Sequence, residues 1–241
     1  MDDGLRSFAL ASTCAAFVAT PVLGALVGDG EQTARYDTVI TPPDYAFAVW
    51  APIFAGCVAS TVGQCLPQGR RQPVSRRVGW PLAGAYAVNA AWSAAAQSDR
   101  FAYTPYLLPV AAGLAATAHL RLQRTPTTTR WTALTPLSTG LLLGWTALAS
   151  TVNIAAAKVA SGTPPDAPRT VTASAVGLLA TSAVAAAAVA RSQRGRLPLA
   201  LSAGWGLLTT AVSASRPRRV RLAATAGAAM IATAAAATRL R

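Results

Sequence analysis

The sequence predicts an all-α fold, a polytopic bundle of membrane-crossing helices, and three observations carry that expectation. Hydrophobic residues make up 53% of the 241, and charged residues only 12%, against roughly 25% charged in soluble domains. The charges gather in short clusters between long apolar runs. Each run is about 18–22 residues, enough at ~1.5 Å per residue to cross a hydrocarbon core of roughly 30 Å.

Eight spans follow in order. The first covers about residues 8–27. Arg6 precedes it as in a signal peptide, but the run is long for one and further spans follow, so a retained helix is expected. A polar loop, 28–41, carries Asp29, Glu31, Arg35 and Asp37. The second span, about 45–66, opens behind Pro42 and Pro43. Proline suits the start of a helix, where its missing N–H costs nothing, so a helix is expected from about Asp44. Phe47, Trp50 and Phe54 are three and four apart and share one helical face.

Arg70, Arg71, Arg76 and Arg77 separate this span from the third, about 80–97, which contains Asn89, Trp92 and Ser93. Asp99 and Arg100 mark a short turn before the fourth, about 105–122. Arg121, Arg124 and Arg130 lead to the fifth, about 136–157, with Trp145, Ala149 and Asn153 spaced by four. A proline-rich turn, 161–169, precedes the sixth span, about 171–190. Arg191, Arg194 and Arg196 introduce the seventh, about 197–214. Arg216, Arg218, Arg219 and Arg221 introduce the alanine-rich eighth, about 222–238.

Loop charge sets the expected orientation. The loops after spans two, four and six are basic, and those after one, three and five are nearly neutral. Positive loops stay in the cytoplasm, which places the N-terminus there in a multi-pass protein of the cell membrane. The loop after span seven breaks the alternation with four arginines. The net charge of +13 is thus explained by loop arginines. Nucleic-acid binding, which needs a basic soluble face with interleaved aromatics, is not expected.

The inventory also weighs against catalysis and metal binding. There is one histidine, His119, near a helix end among arginines, where an interfacial side chain is expected. Cys14, Cys57 and Cys65 match no metal-site spacing and read as small apolar residues. No acidic residue lies within a span, which argues against ion-coupled transport of the common kind. No enzyme motif or cofactor site is found.

Two asparagines remain inside apolar spans, each near a tryptophan. An amide in hydrocarbon must find a partner, so Asn89 and Asn153 should face protein or a cavity. They serve either as glue between helices or as the polar edge of an aromatic pocket.

The motifs PPDYAFAVW, NAAWS and GWTALASTVN together resemble those of the TspO/MBR family, the tryptophan-rich sensory proteins related to the mitochondrial translocator protein. The resemblance covers about residues 8–158 and rests on Pro42, Pro43, Phe47, Val49 and Trp50, then Asn89, Trp92 and Ser93, then Trp145, Ala149 and Asn153. The first loop departs from the family pattern in having neither lysine nor tryptophan. The resemblance implies a five-helix core over residues 1–158, with 159–241 as an additional three-helix segment. It also implies a pocket for a hydrophobic, porphyrin-like molecule, and a homodimer. Phe47, Trp50, Phe54, Asn89, Trp92, Trp145, Ala149 and Asn153 are the candidate ligand-binding residues, with Asn89 and Asn153 expected to partner across the cavity. A small transporter of a hydrophobic solute and a membrane scaffold without a ligand are the alternatives.

Overall fold

A computed structural model describes residues 2–27, 36–98, 100–126 and 129–237. Asp29, Glu31, Arg35 and Asp99 of the expected loops lie outside the described residues. Among the described residues the architecture is all-helical, with eight long helices. They are α1 (Asp3–Val27), α2 (Trp50–Cys65), α3 (Pro73–Ala96), α4 (Thr104–Gln123), α5 (Thr135–Ala160), α6 (Pro168–Arg191), α7 (Arg196–Val212) and α8 (Arg218–Ala237). A single turn, Pro67–Arg70, joins α2 to α3. Pro73, Pro105, Pro136 and Pro168 occupy the first two positions of α3 to α6. There a fixed φ helps and a missing N–H leaves nothing unpaired.

Several helix starts differ from the sequence expectation. Helices α1 and α3 begin at Asp3 and Pro73, ahead of the expected 8 and 80, so Arg76 and Arg77 stand on α3 and not in a loop. The second span does not open as an α-helix. Residues Asp44–Val49 form a 3-10 helix, and the α-helix begins only at Trp50. Pro52 explains the shift. It has no N–H to bond the carbonyl of Ala48, so the tighter i→i+3 pattern holds instead, as in Ala46 N–H to Pro43 O at 2.8 Å.

Among the described residues, six helices are long and apolar enough to cross a membrane: α1, α2 with its 3-10 turn, α4, α5, α6 and α8. The other two expected spans fall short for identifiable reasons. Helix α7 has only 17 residues. Helix α3 carries Tyr86, Asn89, Trp92 and Ser93 along its most buried stretch, which lowers its hydropathy and suits the interior of the bundle.

Two large apolar clusters and a small third one, of Trp92, Ala96 and Leu108, form the core. The first joins α1 to α5 around Phe17, Ile53, Leu82, Tyr86 and Leu142. The second joins α5 to α8 and takes in Val39 and Ile40 from the loop before α2. Helix α5 belongs to both, through Leu142 and Trp145 on one side and Leu148 on the other. Gly140 and Gly144 make its junction with α7. A Cβ on Gly144 would run into the carbonyl of Leu199 and the hydroxyl of Ser202; one on Gly140 would run into the carbonyl of Gly195. Small residues four apart let two membrane helices touch backbone to backbone.

The polar ends of the helices sort into two groups. At one end, Arg6 is buried and bonds Asp3 and the carbonyl of Arg70, while Arg76 pairs with Asp3 at 2.7 Å. At the same end Arg194 reaches the carbonyls of Leu122 and Thr125, closing the C-terminus of α4 against the α6–α7 loop. At the opposite end Arg216 pairs with Asp37 at 2.9 Å and also bonds the Thr38 carbonyl. The loop after α7 therefore lies beside Asp37 and Thr38, where the charge of Arg216 is neutralised, while Arg218, Arg219 and Arg221, expected in that loop, stand on the first turn of α8.

His119 is not interfacial as expected. It is buried, with Nε2 2.8 Å from Ser192 Oγ and Nδ1 3.3 Å from Thr139 Oγ1. The hydroxyls of α5 and of the end of α6 give its ring polar partners inside the bundle. The cysteines are free; Cys14 and Cys57 are buried and Cys65 is half-buried.

Candidate functional site: an aromatic slot beside the double proline

The slot is built from the loop before α2 outward. Thr38 and Thr41 close a tight turn: Thr41 Oγ1 accepts from the Thr38 N–H at 3.0 Å, and the Thr41 N–H donates to the Thr38 carbonyl at 3.2 Å. Pro42 and Pro43 follow in a stretch that needs no donors of its own, and the 3-10 turn then presents Phe47 and Trp50. Trp145 from α5 meets both edge-on, with ring centroids 5.8 Å from Phe47 and 6.1 Å from Trp50. Such edge-to-face pairs are a favoured aromatic geometry. Tyr36 stacks on Phe101 at 3.9 Å and borders the same space.

The second wall is a hydrogen-bonded stripe. The Trp92 indole N–H donates to Asn153 Oδ1 at 2.9 Å, and the Asn153 amide donates to the Ala149 carbonyl at 3.2 Å. Leu178 of α6 and Gly206, Leu207 and Thr210 of α7 complete the enclosure. The space between them measures about 70 Å³. Its lining is apolar apart from Tyr36, Thr41, Asn153 and Thr210 and the tryptophan N–H groups. A Cβ on Gly206 would stand 3.2 Å from the Trp145 ring, so the bare backbone of α7 is what admits the indole.

Six of the eight residues singled out from sequence line this slot: Phe47, Trp50, Trp92, Trp145, Ala149 and Asn153. Phe54 does not. It stacks on Trp50 at 5.3 Å, turns its edge to Phe17 of α1 at 5.0 Å, and borders a neighbouring groove. Asn89 is buried away from the slot wall. Its amide donates to the Ala85 carbonyl of its own helix at 2.8 Å, and its Oδ1 has no partner among the described residues. The expected Asn89–Asn153 partnership is replaced by Trp92–Asn153, because an indole N–H satisfies the amide oxygen across the α3–α5 contact.

The sequence reading missed the contributions of the loop and of the C-terminal helices. The Thr38–Thr41 pair before the prolines is the one local signal that could have pointed to Thr41. Leu178, Leu207 and Thr210 carry none, since each is one apolar or small residue among many. The C-terminal helices also hold the motif in place. The Trp205 indole N–H donates to the Ala46 carbonyl at 2.8 Å, with Tyr45 edge-on to the same indole at 6.3 Å.

The Trp92–Asn153 bond can be weighed directly. A double-mutant cycle of Trp92→Phe and Asn153→Ala, read by thermal unfolding in detergent, is expected to give a coupling of about 0.6–1.7 kcal/mol, the range for interhelical hydrogen bonds in membranes. Strict additivity would mean that the two side chains are held by packing alone.

A family model described as TSPO-like protein matches residues 7–237. The match runs through α6, α7 and α8, which the motif resemblance alone left outside. Comparison with curated proteins and with solved structures returned no match.

Proposed function

The chain belongs to the TSPO-like protein family, and from that premise we propose that this integral membrane protein binds a planar hydrophobic molecule, tetrapyrrole-like in character, in the aromatic slot. The observation that carries the reading is the composition of the slot walls. Phe47, Trp50, Trp92 and Trp145 surround one apolar space, and Asn153 sits at its edge with its oxygen committed to Trp92. Ligand pockets combine apolar and aromatic walls with a few placed polar groups. Aromatic faces and edges favour a flat ring over a rounded molecule of equal volume.

Size adds a requirement. The slot, at about 70 Å³, is well under the ~300 Å³ at which small-molecule pockets begin. Binding a tetrapyrrole therefore widens it. The loop carrying Tyr36, Ile40 and Thr41 is the wall with the least helical support, and it is the part that yields in this reading.

Titrating detergent-purified protein with protoporphyrin while following tryptophan fluorescence tests the proposal. Saturable quenching is expected, and Ala149→Leu, which fills the slot and leaves every tryptophan in place, should weaken apparent affinity by about tenfold, or ~1.4 kcal/mol. Equal quenching in the variant would move the ligand elsewhere or remove it altogether.

A further inference from the structure

Beside the slot lies a second apolar space of about 320 Å³, lined by Phe17, Pro21, Val22 and Ala25 of α1 with Phe54 of α2 and Ser93 of α3. Trp50 and Trp92 border both spaces, so the two indoles form the partition between them. The groove is larger than the slot and lies on the opposite side of that partition. We propose that it is a binding site for the acyl chain of a membrane lipid.

Four observations select that occupant. The groove is bounded by α1, the least covered of the six membrane-crossing helices, with 17% of its apolar window buried in the bundle. Its outer rim therefore stands in the hydrocarbon. Val22 is 46% exposed, and Leu23 and Leu26 beside it are 56% and 77% exposed. Interfaces between membrane helices are rich in small residues that bring backbones together. Along this rim the bulky Val22, Leu23 and Leu26 outnumber the small Ala25, which favours a lipid over a second copy of the chain. The groove's volume reaches the lower end of the ~300–1,000 Å³ range of ligand pockets.

The fourth observation is chemical. The lining is apolar except for Ser93, whose hydroxyl already accepts from the Gln97 amide at 2.8 Å. The same Gln97 amide donates to the Thr20 carbonyl at 3.3 Å, tying α3 to α1 close to the groove. Gly24 is what lets it cross, because a Cβ there would fall on the Gln97 side chain. A hydrocarbon chain needs no polar partner and leaves these bonds intact. A polar ligand would find few polar groups in this lining to meet it.

The site stands on this geometry alone and does not require the slot to bind anything. Its test is photolabelling of the full chain in phosphatidylcholine vesicles that contain a phosphatidylcholine with a diazirine in the acyl chain. Cross-links are mapped by mass spectrometry. The groove residues Phe17 and Phe54, together with Ala25, should label above lipid-facing positions such as Val184 and Leu201, which at 71% and 68% are far more exposed than either phenylalanine. Ala25→Phe fills the groove from an exposed position and should abolish the groove label while sparing Val184 and Leu201. Labelling that simply follows exposure in the unmodified chain, or a groove label unchanged by Ala25→Phe, overturns the proposal. Protoporphyrin quenching is scored separately, so loss of that signal would bear on the slot and not on the groove.

Discussion

Gly144→Leu is expected to separate α5 from α7 and to cost at least ~3 kcal/mol, the upper end of the overpacking range. The reason is the nature of the obstacle. A Cβ at this position meets the Leu199 carbonyl, which belongs to the α7 backbone and cannot rotate away, together with the Ser202 hydroxyl. Gly144→Ala makes a finer test, because two effects oppose each other. Alanine improves helix propensity by ~1 kcal/mol, whereas forcing the helices apart costs ~1–3 kcal/mol. With backbone as the obstacle the second effect wins, and the variant should unfold at a lower temperature in detergent. Gly204→Ala on α7 is the control, since nothing lies within 4 Å of a Cβ there; it should be neutral or mildly stabilising. A Gly144→Ala protein as stable as the parent would mean that α5 and α7 do not meet as described.

Trp145→Ala is the other large effect. The indole is 3% exposed, faces Phe47 and Trp50 edge-on and lies over Gly206. Emptying a buried tryptophan site costs ~3–5 kcal/mol in soluble cores. The cost here should fall near ~3 kcal/mol, because within a bilayer the loss is one of packing contacts, with little hydrophobic transfer to add. Trp145→Phe keeps one ring against Phe47 and Trp50 and should recover more than half of the loss. If Trp145→Ala unfolds like the parent, Trp145 is not a structural member of the slot, and its role must be sought in the ligand alone.

Much of the fold was legible because the signals were local. Apolar run length marked the spans, and Pro105 and Pro136 stand where the fourth and fifth were expected to begin, whereas α3 and α6 start at Pro73 and Pro168, ahead of the expected 80 and 171. The tryptophan and asparagine stripes identified six slot residues. What stayed hidden depended on contacts between distant segments. Phe54 shares a helical face with Trp50, yet Phe17 of α1 draws it to the far side of the partition. Asn89 and Asn153 look equivalent in sequence, but only Asn153 stands opposite an indole donor. His119 sits among arginines along the chain, while in space Thr139 and Ser192 enclose it. Gly140 and Gly144 drew no expectation from the sequence, because their role depends on which helix meets them. The 3-10 turn was missed because Pro52, about two turns beyond the position where the helix was expected to start, leaves the Ala48 carbonyl without its α-helical donor.

The pairing of Trp205 with Ala46 and of Arg216 with Asp37 has a consequence for biosynthesis. The loop and 3-10 turn at residues 36–49 are made early, but the groups that hold them are made some 160–180 residues later. Leu207 and Thr210, which close one wall of the slot, emerge at the same late stage. During translation the first five helices can insert and pack around Phe17 and Leu142 while the slot still lacks that wall. Completion of the slot thus reports that α7 has docked, and a nascent chain halted before residue 205 would carry the aromatic motif without its enclosure.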